Sequence, residues 1–467
     1  MEFGFITASI TYFSILMAIG VYFYRKSKHT SEQFISGGHS LNYWVTAIAT
    51  QASDMGAWLF LGFPATVFLQ GVFQYWTAIG LVVFMWLNWK YIAPRLRMQT
   101  ATLKSLTLAD YFEKKYNDTS GLLALTTSII SFIFFIFYIS SGLIGLGRIF
   151  QSSFNIEYHT GIIVSMLIAL FYTLLGGFVA IAWCDLFQGI FLLGVIVVVP
   201  LYAYMFTGGV SEIVQIATEK NISLSLMSSW QETIKAILLA AGWGLGYFGQ
   251  PHILANFIGI DDPTKIKYAR RVGITWQIIV LTASACIGLI SLAFFKNIAV
   301  EPQMIFVVMT KTLFHPFVAG LALCAIFAAT LSSVDTQLLI AGSLGAQQCY
   351  ARFLNRNKTK SDFILLSRIS TSIVAVCALA IAWTNNSSIY DIVYFAWSGL
   401  GAAFGPLVIA SLYHNNITRN GALAGILVGT FVTIVWPYLN TDIMQLVPAF
   451  IASYGAIVLV SRMGKEF

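Results

Sequence analysis

Charge is what this chain has least of. Only 10% of its 467 residues are Asp, Glu, Lys or Arg, too few to solvate the surface of a soluble protein of that length. Cysteine is also scarce. Cys184, Cys286, Cys324, Cys349 and Cys377 fall in apolar stretches or at their ends, which argues against a disulfide framework and offers no zinc spacing. The six histidines are scattered, and His39, His252 and His414 form no metal constellation. A Walker loop and a Gly-x-Ser-x-Gly elbow are both missing, and no nucleophile and base fall together at one depth. ATP-driven pumping and hydrolase chemistry are therefore disfavoured, and the chain is not expected to be an enzyme. The period-2 alternation of an outer-membrane barrel is absent too. No basic segment precedes the first apolar stretch, and Arg25-Lys26-Ser27-Lys28 follows it directly. That order reads as an uncleaved helix with its N-terminus outside rather than a signal peptide.

What is present is apolar length. Hydrophobic residues make up 58% of the chain and the mean hydropathy is +0.79. A bilayer core about 30 Å thick takes roughly 20 apolar residues per helix. Suitable stretches lie near 5–24, 43–63, 67–89, 122–147, 160–181, 187–206, 233–256, 273–295, 316–345, 367–384, 391–413, 421–438 and 443–461. The expected fold is all-α, a polytopic membrane domain over 1–467 with about thirteen spans. The net charge of +7 fits this better than it fits a nucleic-acid partner. With the N-terminus outside, 21 of the 26 Lys and Arg fall in cytoplasmic loops, leaving Arg148, Lys220, Lys235, Lys296 and Lys311 opposite. This is the positive-inside bias, and it places the C-terminus in the cytoplasm.

Two apolar segments are interrupted at comparable depth. One carries Ala52-Ser53-Asp54-Met55-Gly56, the other Gly242-Trp243-Gly244-Leu245-Gly246-Tyr247-Phe248-Gly249-Gln250-Pro251. Glycine frees the backbone from helical geometry and proline removes a donor, so unpaired carbonyls and amides are expected there. Such backbone is tolerated at mid-membrane only where it lines a cavity. Close helix packing explains a single glycine equally well, but not four glycines, a proline, three aromatics and a glutamine within ten residues. Two broken helices, each first in a five-helix half, predict an inverted repeat with its site at the repeat interface. The repeat core is then 43–413, with 5–24 and 421–461 peripheral.

Three carboxylates sit in apolar surroundings, where each costs about 2.5–3.5 kcal/mol on an insertion scale. Asp54 lies in the first interruption. Asp335 lies in Ala329-Thr330-Leu331-Ser332-Ser333-Val334-Asp335-Thr336, where Ala329, Ser332 and Asp335 or Thr336 share one helical face with Ser333 beside it. Hydroxyls of this kind often bond back to the preceding turn. Three of them flanking a carboxylate point instead to a hard cation such as sodium, which prefers oxygen ligands. Asp185 is expected near the cytoplasmic start of its helix, a place that the helix dipole alone would favour.

The run Ala52-Ser53-Asp54-Met55 followed by Trp58-Leu59, Gly62 and Pro64, and the run Trp243 to His252, closely resemble the sodium/solute symporter family. Trp397 to Pro406 and Thr418 to Gly425 carry the same likeness, which extends over about 10–460. The resemblance implies a leucine-transporter-type 5+5 core in a bacterial cytoplasmic membrane, coupling inward sodium flow to uptake of L-proline. By the same likeness the main sodium site falls on the carbonyls of Ala52, Met55 and Ala329 and the hydroxyls of Ser332 and Ser333, with Asp54 in support. The substrate pocket falls on Trp58, Gly62, Tyr138, Trp243, Tyr247 and Pro251, with Gly56 beside it. No cofactor is implied beyond sodium as coupling ion.

The chain departs from the family's proline carriers at three positions. They have serine where Gly56 and Asp335 stand and arginine where His39 stands. Gly56 enlarges the pocket, so another small amino acid or carboxylated solute is the alternative substrate, and a solute sensor a more distant one. Family members that bind a second sodium use a fifth-helix carboxylate with hydroxyls of the eighth helix, and by that resemblance Asp185 would face Ser332, Asp335 and Thr336. Two adjacent carboxylates cannot both stay ionised without a cation or proton between them, so Asp185, Asp335 and Thr336 form a candidate second cation site.

Overall fold

The computed structural model describes residues 2–26, 37–227, 229–353, 360–384, 388–439 and 441–463. Lys28, Arg356, Lys358 and Lys465, part of the expected cytoplasmic charge, fall outside them, as does the side chain of Cys349. Among the described residues there is no strand, only an isolated parallel bridge between Leu41 and Ile260. Among the described residues ten helices are long and apolar enough to cross a membrane, or eleven with one bent pair counted as a span.

Helix α1 (Glu2–Lys26) runs along the outside of the bundle. Asn42 starts α2 (Tyr43–Ala52), its side chain accepting the Val45 N–H at 3.0 Å, so one of the orphan first-turn donors is satisfied. The helix stops at Ala52, and after a 3-10 turn (Ala57–Leu59) the chain continues as α3 (Gly62–Gln70). The two limbs are bent by 71°. Gly71 ends α3 with φ 81°, and a Cβ there would meet the Ser223 carbonyl at 2.1 Å. Only glycine fits both demands. The next span therefore begins at Val72 rather than at 67, as α4 (Tyr75–Leu87), a π turn (Asn88–Ile92) and α5 (Ala93–Leu103).

A short helix, α6 (Leu108–Lys115), leads to α7 (Leu122–Phe154). Tyr158–Tyr204, here α8, changes direction at Gly177, where φ 61° and ψ 177° interrupt the helix. The expected spans 160–181 and 187–206 therefore divide earlier than hydropathy suggests. The outer helix α9 (Gly209–Glu219) precedes α10 (Trp230–Gly244), which passes through a 3-10 stretch (Leu245–Gly249) and extended Gln250 into α11 (Pro251–Gly259). Pro251 fits at the first helical position because that N–H has no acceptor in any helix.

The remaining helices are α12 (Ile266–Phe294), α13 (Ile305–Leu313), α14 (Pro316–Phe353), α15 (Lys360–Ala382), α16 (Ile389–Tyr413), α17 (Arg419–Val435) and α18 (Leu446–Met463). Burial separates the spans. In α14, 83% of the apolar window lies inside the protein, and in α16 78%, against 22% for α1 and 28% for α15, α17 and α18. Helix α14 is thus an inner post against which α1, α7, α8 and α15 pack. Exposed apolar surface is carried by Ile10, Leu167, Ile190, Val376, Phe431 and Leu459.

Candidate functional site

The first break lies against the inner post. Ser53, Asp54, Met55 and Gly56 are all buried, and a Cβ on Gly56 would come 3.2 Å from Ser333 Oγ. Ala52 approaches the inner limb of α8, where a Cβ on Gly189 would meet the Ala52 methyl at 3.3 Å. The structure therefore brings the end of α2 next to α14 and α8, at the level of Ala329, Ser332 and Ser333. These groups are not equally free. Met55 N–H donates to Ala52 O at 3.3 Å, and Ser333 Oγ donates back to Ala329 O at 3.2 Å. Ser332 Oγ is buried, lies near Asp185 and makes no hydrogen bond of good geometry.

The second break faces the first across an aromatic enclosure. Trp58 and Trp243 stack with ring centroids 5.8 Å apart, and the Trp58 indole donates to the Asp54 carbonyl at 3.2 Å. Trp243 Nε1 donates to Tyr390 Oη at 3.0 Å, and Trp397 Nε1 to the Trp243 carbonyl at 2.8 Å. Tyr247 joins the two breaks directly, its hydroxyl donating to Asp54 Oδ2 at 2.5 Å while accepting from Gln277 Nε2 at 2.7 Å. The Tyr247 carbonyl is held by Asn88 Nδ2 at 2.9 Å. Asn88 opens the π turn, a distortion that often marks a functional position in a helix. Gly62 sits beside Trp58 and Tyr390, Pro251 opens α11, and Tyr138 enters from α7 with its hydroxyl unpartnered.

Asp185 lies two turns beyond Gly177 and is 1% exposed, so it lacks the solvated first-turn place expected of it. Thr336 connects it to Asp335: the Thr336 hydroxyl donates to Asp185 Oδ2 at 3.3 Å, and the Thr336 N–H donates to Asp335 Oδ1 at 2.7 Å. The other oxygen of each carboxylate has no hydrogen-bond partner. Gln188 and the Tyr12 hydroxyl, both buried and also without a hydrogen bond of good geometry, lie near each other, with Asp335 within electrostatic reach of Tyr12. Among the described residues Asp54, Asp185 and Asp335 make no ion pair.

On the expected cytoplasmic side, the segment before α2 is tied to the end of α11. Leu41 N–H donates to Gly259 O at 3.2 Å and Asp261 N–H to Leu41 O at 2.9 Å. His39 Nδ1 lies 2.7 Å from Ile258 O, and Arg97 Nε donates to Ile260 O at 2.9 Å. Two of the four bonds of this latch run backbone to backbone and are insensitive to side-chain identity, whereas the other two need His39 and Arg97.

Sequence reasoning missed Tyr390, Gln277, Asn88, Gln188 and Tyr12. Polar residues within the stretches 187–206 and 273–295 were the available signal for Gln188 and Gln277. Nothing local distinguishes Tyr390 or Tyr12 from the other tyrosines of an aromatic-rich membrane protein.

Residues 34–429 match the model of the sodium:solute symporter family. The chain is 37% identical to sodium/proline symporter 2 of Staphylococcus saprophyticus, an alignment covering 98% of this chain and 92% of that protein. It is 36% identical to the sodium/proline symporter of Salmonella typhimurium, over 96% and 91% of the two chains. Among solved structures, a sodium-coupled sialic acid symporter in a substrate-bound outward-open state superposes with a TM-score of 0.84 at 17% identity, covering 98% of each chain. At that identity the likeness is one of fold.

Proposed function

The chain belongs to the sodium:solute symporter family, and from that membership we propose that it is a sodium-coupled secondary active symporter importing L-proline by alternating access. One observation carries the reading. The two helix breaks meet through the Tyr247–Asp54 hydrogen bond, with the oxygens of α14 on one side and the stacked indoles of Trp58 and Trp243 on the other. A cation and a compact apolar ring can then be bound by the same two breaks, which is the requirement for coupling. The relatives named above bear the matching names over nearly the whole chain.

In this reading about thirteen spans cross the membrane, with an inverted-repeat core over 43–413, the N-terminus outside and the C-terminus in the cytoplasm. The main sodium takes the carbonyls of Ala52, Met55 and Ala329 and the hydroxyls of Ser332 and Ser333. Asp54 fixes the break through Tyr247 without having to touch the ion. Asp185, Asp335 and Thr336 take a second cation. Proline packs its ring between Trp58, Trp243 and Tyr247, near Gly56, Gly62, Tyr138 and Pro251. Ion binding orders the first break, substrate closes the aromatic enclosure, and the latch between Leu41 and α11 opens as the core rocks.

The test is uptake of labelled L-proline into proteoliposomes of purified protein, with and without an inward sodium gradient. Sodium-dependent uptake competed by proline supports the proposal. Uptake of proline indifferent to sodium, or none at all, overturns it.

A further inference from the structure

His252 is fully buried, and neither of its ring nitrogens has a partner in the protein. It is the second residue of α11, the nine-residue helix that follows the second break. The first N–H in that helix to find an intrahelical carbonyl is Leu254, bonded to Gln250 O at 3.0 Å. The N–H groups of His252 and Ile253 thus lie ahead of the helical ladder, at the positive end of the helix dipole. The His252 ring meets Tyr138 edge to face at 5.9 Å, and Phe135 at the same distance. Tyr138 is 4% exposed and its hydroxyl is likewise unpartnered, within electrostatic reach of Asp54 and Tyr247. Two unpaired side-chain polar groups and a helix start therefore border one spot at the edge of the aromatic enclosure.

A neutral imidazole donates one N–H, a phenol donates one O–H, and helix-start amides donate as well. The imidazole and the phenol can each accept as well as donate, but the helix-start amides only donate, so the group that suits the whole set is an anion with two acceptor atoms. We propose that His252, with Tyr138 and the start of α11, binds the carboxylate of the transported amino acid. This directs the amino end toward Asp54 at the first break. His252 then sets the preference for a free acid over its uncharged amide. The proposal rests on the function given above and adds a specificity-determining residue to it.

The experiment compares wild type, His252→Leu and His252→Gln in proteoliposomes, measuring proline uptake and its inhibition by unlabelled L-proline and by L-prolinamide. Losing one hydrogen bond to a charged group predicts that His252→Leu raises KM for proline by about tenfold to a hundredfold. The ratio of prolinamide to proline inhibition constants narrows by a similar factor, and the half-saturating sodium concentration stays within about twofold. His252→Gln, which keeps a donor, retains much of the preference. Sodium-dependent tryptophan fluorescence of each purified variant reports folding separately from uptake. An unchanged KM in His252→Leu overturns the proposal, and so does a raised KM with an unchanged amide-to-acid ratio, which would be a packing effect. A wild type importing no proline overturns the function proposed above instead. The His252 assignment is then decided by the same acid-to-amide ratio for whichever solute the wild type does take up with sodium.

Discussion

Two acidic neighbourhoods lie within the same protein interior and are built in opposite ways. Around Asp54 a continuous chain of hydrogen bonds holds the carboxylate, although Gln51 and the Tyr138 hydroxyl stay unpaired beside it: Gln277 donates to Tyr247, Tyr247 donates to Asp54, Trp58 donates to the Asp54 carbonyl, and Asn88 holds the Tyr247 carbonyl. Around Asp185 and Asp335 no such chain forms: one oxygen of each carboxylate, Ser332 Oγ and both ends of the Gln188 amide make no hydrogen bond of good geometry. A satisfied buried network rigidifies its surroundings, whereas unsatisfied polar atoms in a low-dielectric interior are costly. The first arrangement suits a carboxylate that organises backbone. The second suits oxygens that meet a cation. Residue type and burial are the same in both, so it is the partners that separate the two roles proposed for them.

The contrast is broken most severely at its organised end. Asp54→Asn removes the charge that accepts from Tyr247, and a charge-assisted hydrogen bond of about 1.5–3 kcal/mol corresponds to as much as a hundredfold. The expected result is that much rise in half-saturating sodium for proline uptake; normal sodium activation would place the organising role elsewhere. Asp335→Ser tests the other end. Each charge crossing is worth about 2.3 kcal/mol per 100 mV, or roughly fifty-fold in accumulation. Loss of a second cation should therefore lower the steady-state proline gradient in charged vesicles and the sodium-to-proline flux ratio together. A flux ratio equal to wild type removes Asp335 from coupling. Tyr247→Phe sharpens the comparison by deleting only the link between breaks, with an expected rise of about tenfold in KM for proline. An effect confined to sodium would mean that Tyr247 acts only through Asp54.

The smallest effect is on stability, outside the membrane. Asp118 precedes α7, and burial opposes its charge. Hydrogen bonds from Ser120 and the Leu123 N–H, with Arg419 at 2.7 Å, outweigh this and hold its carboxyl below the usual range. Its stabilisation is therefore complete above the unfolded value near pH 4 and is lost as pH falls through the lower folded value. Thermal melts between pH 6 and 3 should show a modest acid-side loss in wild type that Asp118→Asn lacks. Parallel curves would assign the acid sensitivity to other carboxylates.

Much of this was legible in residue order because membrane insertion makes local composition decisive. Twenty apolar residues must form a helix in lipid, and a cluster such as Gly244-Leu245-Gly246-Tyr247-Phe248-Gly249-Gln250-Pro251 cannot continue one. The 3-10 stretch and extended Gln250 lie within that cluster, and the bend between α2 and α3 follows Ala52. Boundaries were less legible at Gly71 and Gly177, where positive φ ends a helix inside an apolar run that hydropathy reads as continuous. The sequence alone thus determined the all-helical class, the two breaks and the three candidate acids, since each depends on residues within a few turns of one another. Which acid would be paired was decided only by tertiary structure. Tyr247, itself held by Gln277, reaches Asp54 from a chain position far along the sequence, and Tyr12 near the N-terminus comes within electrostatic reach of Asp335. Hydrogen-bond partners at such separations are set by how helices pack, and packing is a property of the whole bundle.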